Sequence, residues 1–152
     1  MPTSEEYFDI SASGTISLKH EYKSTLAGKI TIPTSIKPSS TEAAIEVTSI
    51  GSMGLNTFGS TSELTHIYFL SNSKVEQVNA NAFAYCNNLK LIDLPSTIRT
   101  IQSSAFVNCE ELTSITLNDN ITTIAEGVFS GCTKLELNNL PSKLTTLGNS
   151  AF

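Results

Sequence analysis

IQSSAFVNCEELTSITL, residues 101–117, is the stretch on which the fold turns, because pieces of it return along most of the chain. Phe58, Phe83, Phe106, Phe129 and Phe152 stand 25, 23, 23 and 23 residues apart. Leu64, Leu89, Leu112 and Leu135 repeat the first three of those steps, and Cys86, Cys109 and Cys132 step by 23 twice. One period shared by three residue types marks a solenoid, in which a unit too small to bury its own apolar side buries it against its neighbours.

Each unit reads as two strand-like pieces and one compact turn. In LTSITL, Leu112, Ile115 and Leu117 point inward while Thr113, Ser114 and Thr116 face out. Ile121 and Ile124 then bracket a polar pair in a second short strand, entered through a turn at Asn118, or at Pro95 and Pro141 in other coils. SSAF, EGVF and NSAF read as helical turns that drop the phenylalanine into the core. Coils stacked at the ~4.8 Å spacing of neighbouring strands join the five phenylalanines into one spine.

Toward the N-terminus the pattern loosens. KITIPTSI still matches LIDLPSTI, and EVTSIG matches TTLG, but KPSSTEAA (37–44) is inserted as a surface loop and GSMGLNTF carries extra length. Residues 1–28 lack the repeat. There Phe8, Ile10, Ile16 and Leu18 alternate with polar residues around Ser13-Gly14, which predicts a β-hairpin. The expectation is a single domain of class α+β, rich in β: an N-terminal β cap at 1–28 and a solenoid of about five 23-residue coils at 29–152, with a parallel sheet.

The totals exclude several functions. Of 152 residues 39% are hydrophobic, enough for one core, while only 15% are charged, well below the usual ~25%. A net charge of -5 with nine scattered basic residues argues against nucleic acid or an anionic membrane, since phosphate needs a basic stripe. MPTSEEYFDIS shows neither a basic n-region nor an apolar h-region, so no signal peptide is visible. No apolar run approaches the ~18 residues of a membrane span.

Chemistry is sparse. The cysteines each follow a core phenylalanine by three residues and read as small inward groups, although their spacing places them within disulfide reach. No Cys-x-x-Cys occurs and neither His20 nor His66 stands at zinc spacing, so no metal or cofactor is expected. His66 faces out while the cysteines face in, which removes a Cys–His nucleophile pair. Glu110 and Glu111 read as solvated charges, and no phosphate loop is present. An enzyme is not expected.

LTSITL, LIDLPSTI and AFVNC together resemble the BspA-like (treponemal-type) leucine-rich repeat, whose unit runs Leu-x-x-Ile-x-Leu-Pro, then Val/Leu-x-x-Ile, then small-Ala-Phe-x-x-Cys. The likeness covers about 29–152 and is tight from 64 to 132. It implies a curved solenoid with its parallel sheet on the concave face, and membership among bacterial adhesion and surface-binding proteins, with related arrays in phage structural proteins and protist surface proteins. Asn138 departs from the pattern where Ile is wanted, so the last strand is expected to shift or bulge. The chain stops at Ala151-Phe152 in mid-repeat, which predicts either a longer array or a second chain over the open end.

On that basis the sequence predicts a non-enzymatic module at the cell surface or outside it. Its ligand would be a protein or glycan, bound through the concave row: His66, Tyr68, Lys90, Asp93, Thr113, Thr116, Glu136 and Asn139, with Thr65, Leu91 and Ser114 beside them. Tyr68 is the expected anchor, because aromatic groups dominate hot spots. The loop at 37–44 is a second candidate. The alternative is a structural subunit of a phage virion or tail appendage, docking on itself or another protein through its uncapped C-terminal coil.

Overall fold

Strands of two residues do not hold alone, so each takes its partner from the coil beside it. The computed structural model describes residues 4–22, 26–39, 42–51 and 63–152. The strands there are β1 (Phe8–Ile10), β2 (Thr15–Leu18), β3 (Ala27–Ile32), β4 (Ser35–Ile36), β5 (Ile45–Glu46), β6 (Ser49–Ile50) and β7 (Glu63–Phe69). They continue as β8 (Gln77–Val78), β9 (Leu91–Ile92), β10 (Thr100–Ile101), β11 (Ser114–Ile115), β12 (Thr123–Ile124) and β13 (Thr146–Leu147). One sheet runs β1-β2-β6-β8-β10-β12-β13 and a second runs β11-β9-β7-β3.

Pairing between coils is parallel and places like on like. Ile16, Ile50, Val78, Ile101, Ile124 and Leu147 form one column, and Ile30, Ile67, Ile92 and Ile115 another. All of these are buried except Leu147 in the last coil. The predicted hairpin is present: Phe8 pairs with Leu18 and Ile10 with Ile16, and β2 then joins β6 in parallel. The loop at 37–44 joins β4 to β5, which pair antiparallel. Its residues 40–41, and GSMGLNTF from 52 onward with Phe58, lie outside the described residues.

The turns correct the expected helical class. Among the described residues there is no α-helix; two 3-10 segments, Ser4–Tyr7 and His20–Tyr22, carry the helical content. In the turn before Cys109, amides alternate in direction. Ala105, Val107 and Cys109 donate within the coil, to the carbonyls of Gln102, Ser104 and Phe106 at 3.1–3.2 Å. Ser104, Phe106 and Asn108 donate instead to Glu126, Val128 and Ser130 of the next coil, at 2.9, 2.9 and 2.7 Å. Asn81, Phe83 and Tyr85 bind the coil containing Ser103, Ala105 and Val107 in the same way.

That alternation requires left-handed backbone at two positions four residues apart: Asn81 and Tyr85, Ser104 and Asn108, Gly127 and Gly131. Glycine takes this conformation freely, whereas a serine or tyrosine held there costs about 1–2 kcal/mol. The rungs between coils offset that cost. A helix would turn its amides back on itself and leave no rung for the neighbour.

Phenylalanine rings fill the space inside these turns. Phe83, Phe106, Phe129 and Phe152 stack in sequence with centroids 5.1, 5.6 and 5.5 Å apart and planes within 21°. The first three are at most 1% exposed, while Phe152 is 53% exposed. Cys86 and Cys109 are buried beside them and Cys132 half-buried, none of them in a disulfide. Cys109 Sγ donates to the Phe83 carbonyl and Cys132 Sγ to that of Phe106, each at 3.0 Å. Contact with the Cys132 thiol, together with burial, pushes the Cys109 thiol far above the ordinary thiol range. These cysteines are core groups.

Polar side chains add rungs at the corners. Thr65, Thr97, Thr113 and Thr145 donate from Oγ1 to the carbonyls of Gly28, Val75, Lys90 and Thr122 in the preceding coil, at 2.6–3.1 Å. Asn118 bridges to the Pro95 and Ile98 carbonyls at 3.3 and 3.2 Å, and Asp119 Oδ1 accepts from the Ser142 amide at 2.7 Å. That amide, followed by the Ser142 side chain, holds the Asp119 carboxyl below the usual carboxylate range. The expected irregularity of the last coil is a loss of strand pairing, with one rung kept from the Glu136 amide to the Thr113 carbonyl at 3.3 Å. Asn138 supplies no inward apolar group, so 135–140 form no strand and the four-stranded sheet ends at β11.

Two outcomes follow from this stack. Phe106→Ala leaves a cavity between two rings and should destabilise the chain by about 3–5 kcal/mol in urea unfolding. A smaller loss, under about 1 kcal/mol, would mean that the rings do not support one another. Asp119 ionises more readily folded than unfolded, so its contribution is full above the unfolded carboxylate range and is lost as pH falls through its depressed folded value. The protection factor of the Ser142 amide, its exchange rate set against the intrinsic rate at the same pH, should therefore fall on acidification in the native chain and stay level in Asp119→Asn.

Candidate functional site

Outward positions of the four-stranded sheet follow from its register. Lys29, His66, Leu91 and Ser114 pair across β3, β7, β9 and β11, with Thr31 opposite Tyr68 in the adjacent row. Continuing the register by one residue sets Asp93 beside Tyr68. His66, Tyr68 and Leu91 are half-buried, and Asp93, Ser114 and Thr116 are exposed. His66, Tyr68, Asp93 and Thr116 thus share one face, as their spacing predicts.

His66 and Tyr68 stand two residues apart on β7 and stack, with centroids 6.2 Å apart and planes at 14°. His66 Nδ1 lies 2.8 Å from Thr65 Oγ1. The Thr65 hydroxyl already donates to the Gly28 carbonyl at 2.9 Å, so its lone pair receives the Nδ1 proton. Tyr68, half-buried, lies one residue short of the C-terminal end of β7, beside Asp93.

That end opens on a cleft of about 240 Å³ between the loops after β7 and β9, lined by Leu70, Ser71, Asp93, Pro95, Ser96 and Thr97 among others. Hydroxyls and one carboxylate dominate its polar surface. Leu70 is 46% exposed at its edge.

The remaining predicted residues lie elsewhere. Lys90 is exposed one residue before β9, at the rim. Thr113 spends its hydroxyl on the Lys90 carbonyl and so serves the stacking of coils. Glu136 and Asn139 fall in the strandless 135–140 segment, where the Glu136 amide still donates to the Thr113 carbonyl. Glu111, read as a solvated charge, contacts Lys134; that contact first, with Lys90 adding to it, lowers its carboxyl pKa.

A second surface escaped the sequence reading. Over the seven-stranded sheet a groove of about 440 Å³ is lined by Arg99, Thr100, Gln102, Thr122 and Thr123 among others. It adjoins a shallower depression that shares Arg99 and Thr100 and reaches Ser49 and Glu76. Its signal was the polar column Ser49, Gln77, Thr100, Thr123 and Thr146, the last three at 23-residue spacing. Among the described residues no three His, Cys, Asp or Glu side chains converge as a metal site, and no helix is long and apolar enough to cross a membrane. The arrangement as a whole offers non-covalent recognition.

Known proteins share this architecture. The T. pallidum leucine-rich repeat protein superposes with a TM-score of 0.74 at 22% identity, over 99% of this chain and 65% of that one. A leucine-rich cell surface protein from Faecalibacterium prausnitzii gives 0.60 at 23%, over 95% and 49%. The pneumococcal vaccine antigen PcpA gives 0.58 at 20%, over 95% and 44%. The chain thus spans less than two thirds of each of these proteins. No curated protein sequence matches it. The model of the BspA-type leucine-rich repeat region matches residues 48–152 in six copies, and the chain belongs to that family.

Proposed function

We propose that this chain is a non-enzymatic binding module that recognises a protein or glycan on a cell surface through the outer face of its four-stranded sheet. The observation that carries the reading is the stacked His66–Tyr68 pair on a mostly polar face, with Asp93 beside it and Lys90 at the rim. An aromatic group set among polar neighbours is the usual anchor of a recognition surface. The likeness to a cell surface protein and to a vaccine antigen supports a place at the surface. In this reading the β1–β2 hairpin is the N-terminal cap: it extends the seven-stranded sheet and ends the parallel order with an antiparallel strand.

The test is saturable binding of the labelled chain to intact bacteria and to immobilised epithelial-cell surface material. Tyr68→Ala should weaken binding at least about tenfold, an effect of hot-spot size. Thr146→Ala, on the other sheet, should leave it unchanged. Absence of saturable binding to either material at tens of micromolar, or equal binding by Tyr68→Ala, would overturn the reading.

A further inference from the structure

The outer face of the four-stranded sheet is small, and its size decides what it takes. Four strands span three gaps of ~4.8 Å, and the shared rows are a few residues of ~3.3 Å deep, so the face covers on the order of 150–300 Å². A stable protein partner needs ~800 Å² per side. The adjoining cleft, at about 240 Å³, is also below the ~300–1,000 Å³ that encloses a drug-sized ligand. Both dimensions suit a single ring.

Resting on the binding reading above, we propose that Tyr68 and this cleft form a subsite for one neutral pyranose ring of a surface glycan. A pyranose has an apolar C–H face and a rim of hydroxyls. The Tyr68 ring, beside the cleft residue Asp93, meets the first, since aromatic faces pack against apolar hydrogens. The rim meets acceptors and donors: the Asp93 carboxylate accepts, the Thr97 hydroxyl oxygen accepts because its proton goes to the Val75 carbonyl, and the Ser71 and Ser96 hydroxyls do both. Lys90 stands at the rim, outside the cleft lining. A net charge of -5 and a carboxylate in the cleft oppose sulfated or carboxylated sugars. The ligand is therefore uncharged, polyhydroxylated and ring-shaped.

Saturation-transfer NMR with methyl glycosides of galactose, glucose, mannose and N-acetylglucosamine tests this directly. At least one should receive saturation on the C–H protons of one ring face, with millimolar affinity. Tyr68→Ala should lose that signal at least tenfold, Tyr68→Phe should keep it within about threefold because the ring remains, and Asp93→Asn should weaken it. Circular dichroism melting of each variant establishes that it is folded. No saturation transfer up to tens of millimolar, or a signal indifferent to Tyr68→Ala, overturns the subsite.

Periodate oxidation of the cell material separates the two levels of the proposal. Binding abolished by oxidation supports the glycan. Binding that survives oxidation yet is lost in Tyr68→Ala overturns the glycan and leaves the binding module standing. No binding before oxidation removes the module itself.

Discussion

A coil of 23 residues has no interior of its own, and everything in this molecule follows from how one coil supplies an interior to the next. The supply is made by backbone amides that leave the turn on alternate residues. Ser104, Phe106 and Asn108 reach forward to the next coil while Ala105, Val107 and Cys109 close the turn beneath them. The first set fixes the distance between coils, and that distance brings Phe83, Phe106 and Phe129 into a parallel stack. The apolar gain of burying those rings falls to no single coil. Stability is therefore a sum over neighbours, with the threonine and asparagine rungs at the corners adding smaller increments.

The recognition face inherits its geometry from the same stack. In-register parallel pairing puts outward residues in rows, so His66 and Tyr68 share a face on one strand while Asp93 is delivered from the next coil. Rings and carboxylate meet because the coil spacing is fixed from below by the buried isoleucines. The hydroxyl of Thr65 serves both levels at once: it bonds the preceding coil and orients the His66 imidazole.

The columns were legible in the sequence because burial and period coincide: every inward phenylalanine, leucine and cysteine from 83 to 132 stands where its spacing predicts. The hairpin at Phe8–Leu18 was legible for the same reason, with period two in place of 23. The turns were not. Left-handed backbone is announced by Gly127 and Gly131 in one coil, but Tyr85 and Ser104 adopt it in others because rungs to the neighbour outweigh local preference. The groove over the seven-stranded sheet was missed because its strands are two residues long and carry no apolar alternation on their outer side. Asn138 did flag the trouble in the last coil. Its effect was larger than a bulge: the strand pairing is lost, and one backbone rung, from Glu136 to Thr113, remains with Leu135 and Leu137 against the core.

The forward amides also govern how such a gene changes length. Inserting one residue into a turn shifts every donor out of phase with its acceptor in the adjoining coil and breaks the ladder on both sides. Duplicating or deleting a whole 23-residue unit leaves each donor facing an equivalent carbonyl. Heritable length variation is thereby channelled into whole repeats, or into segments off the ladder such as the arms β4 and β5. Arrays of this kind grow and shrink by counting coils while the geometry of each surviving surface is kept.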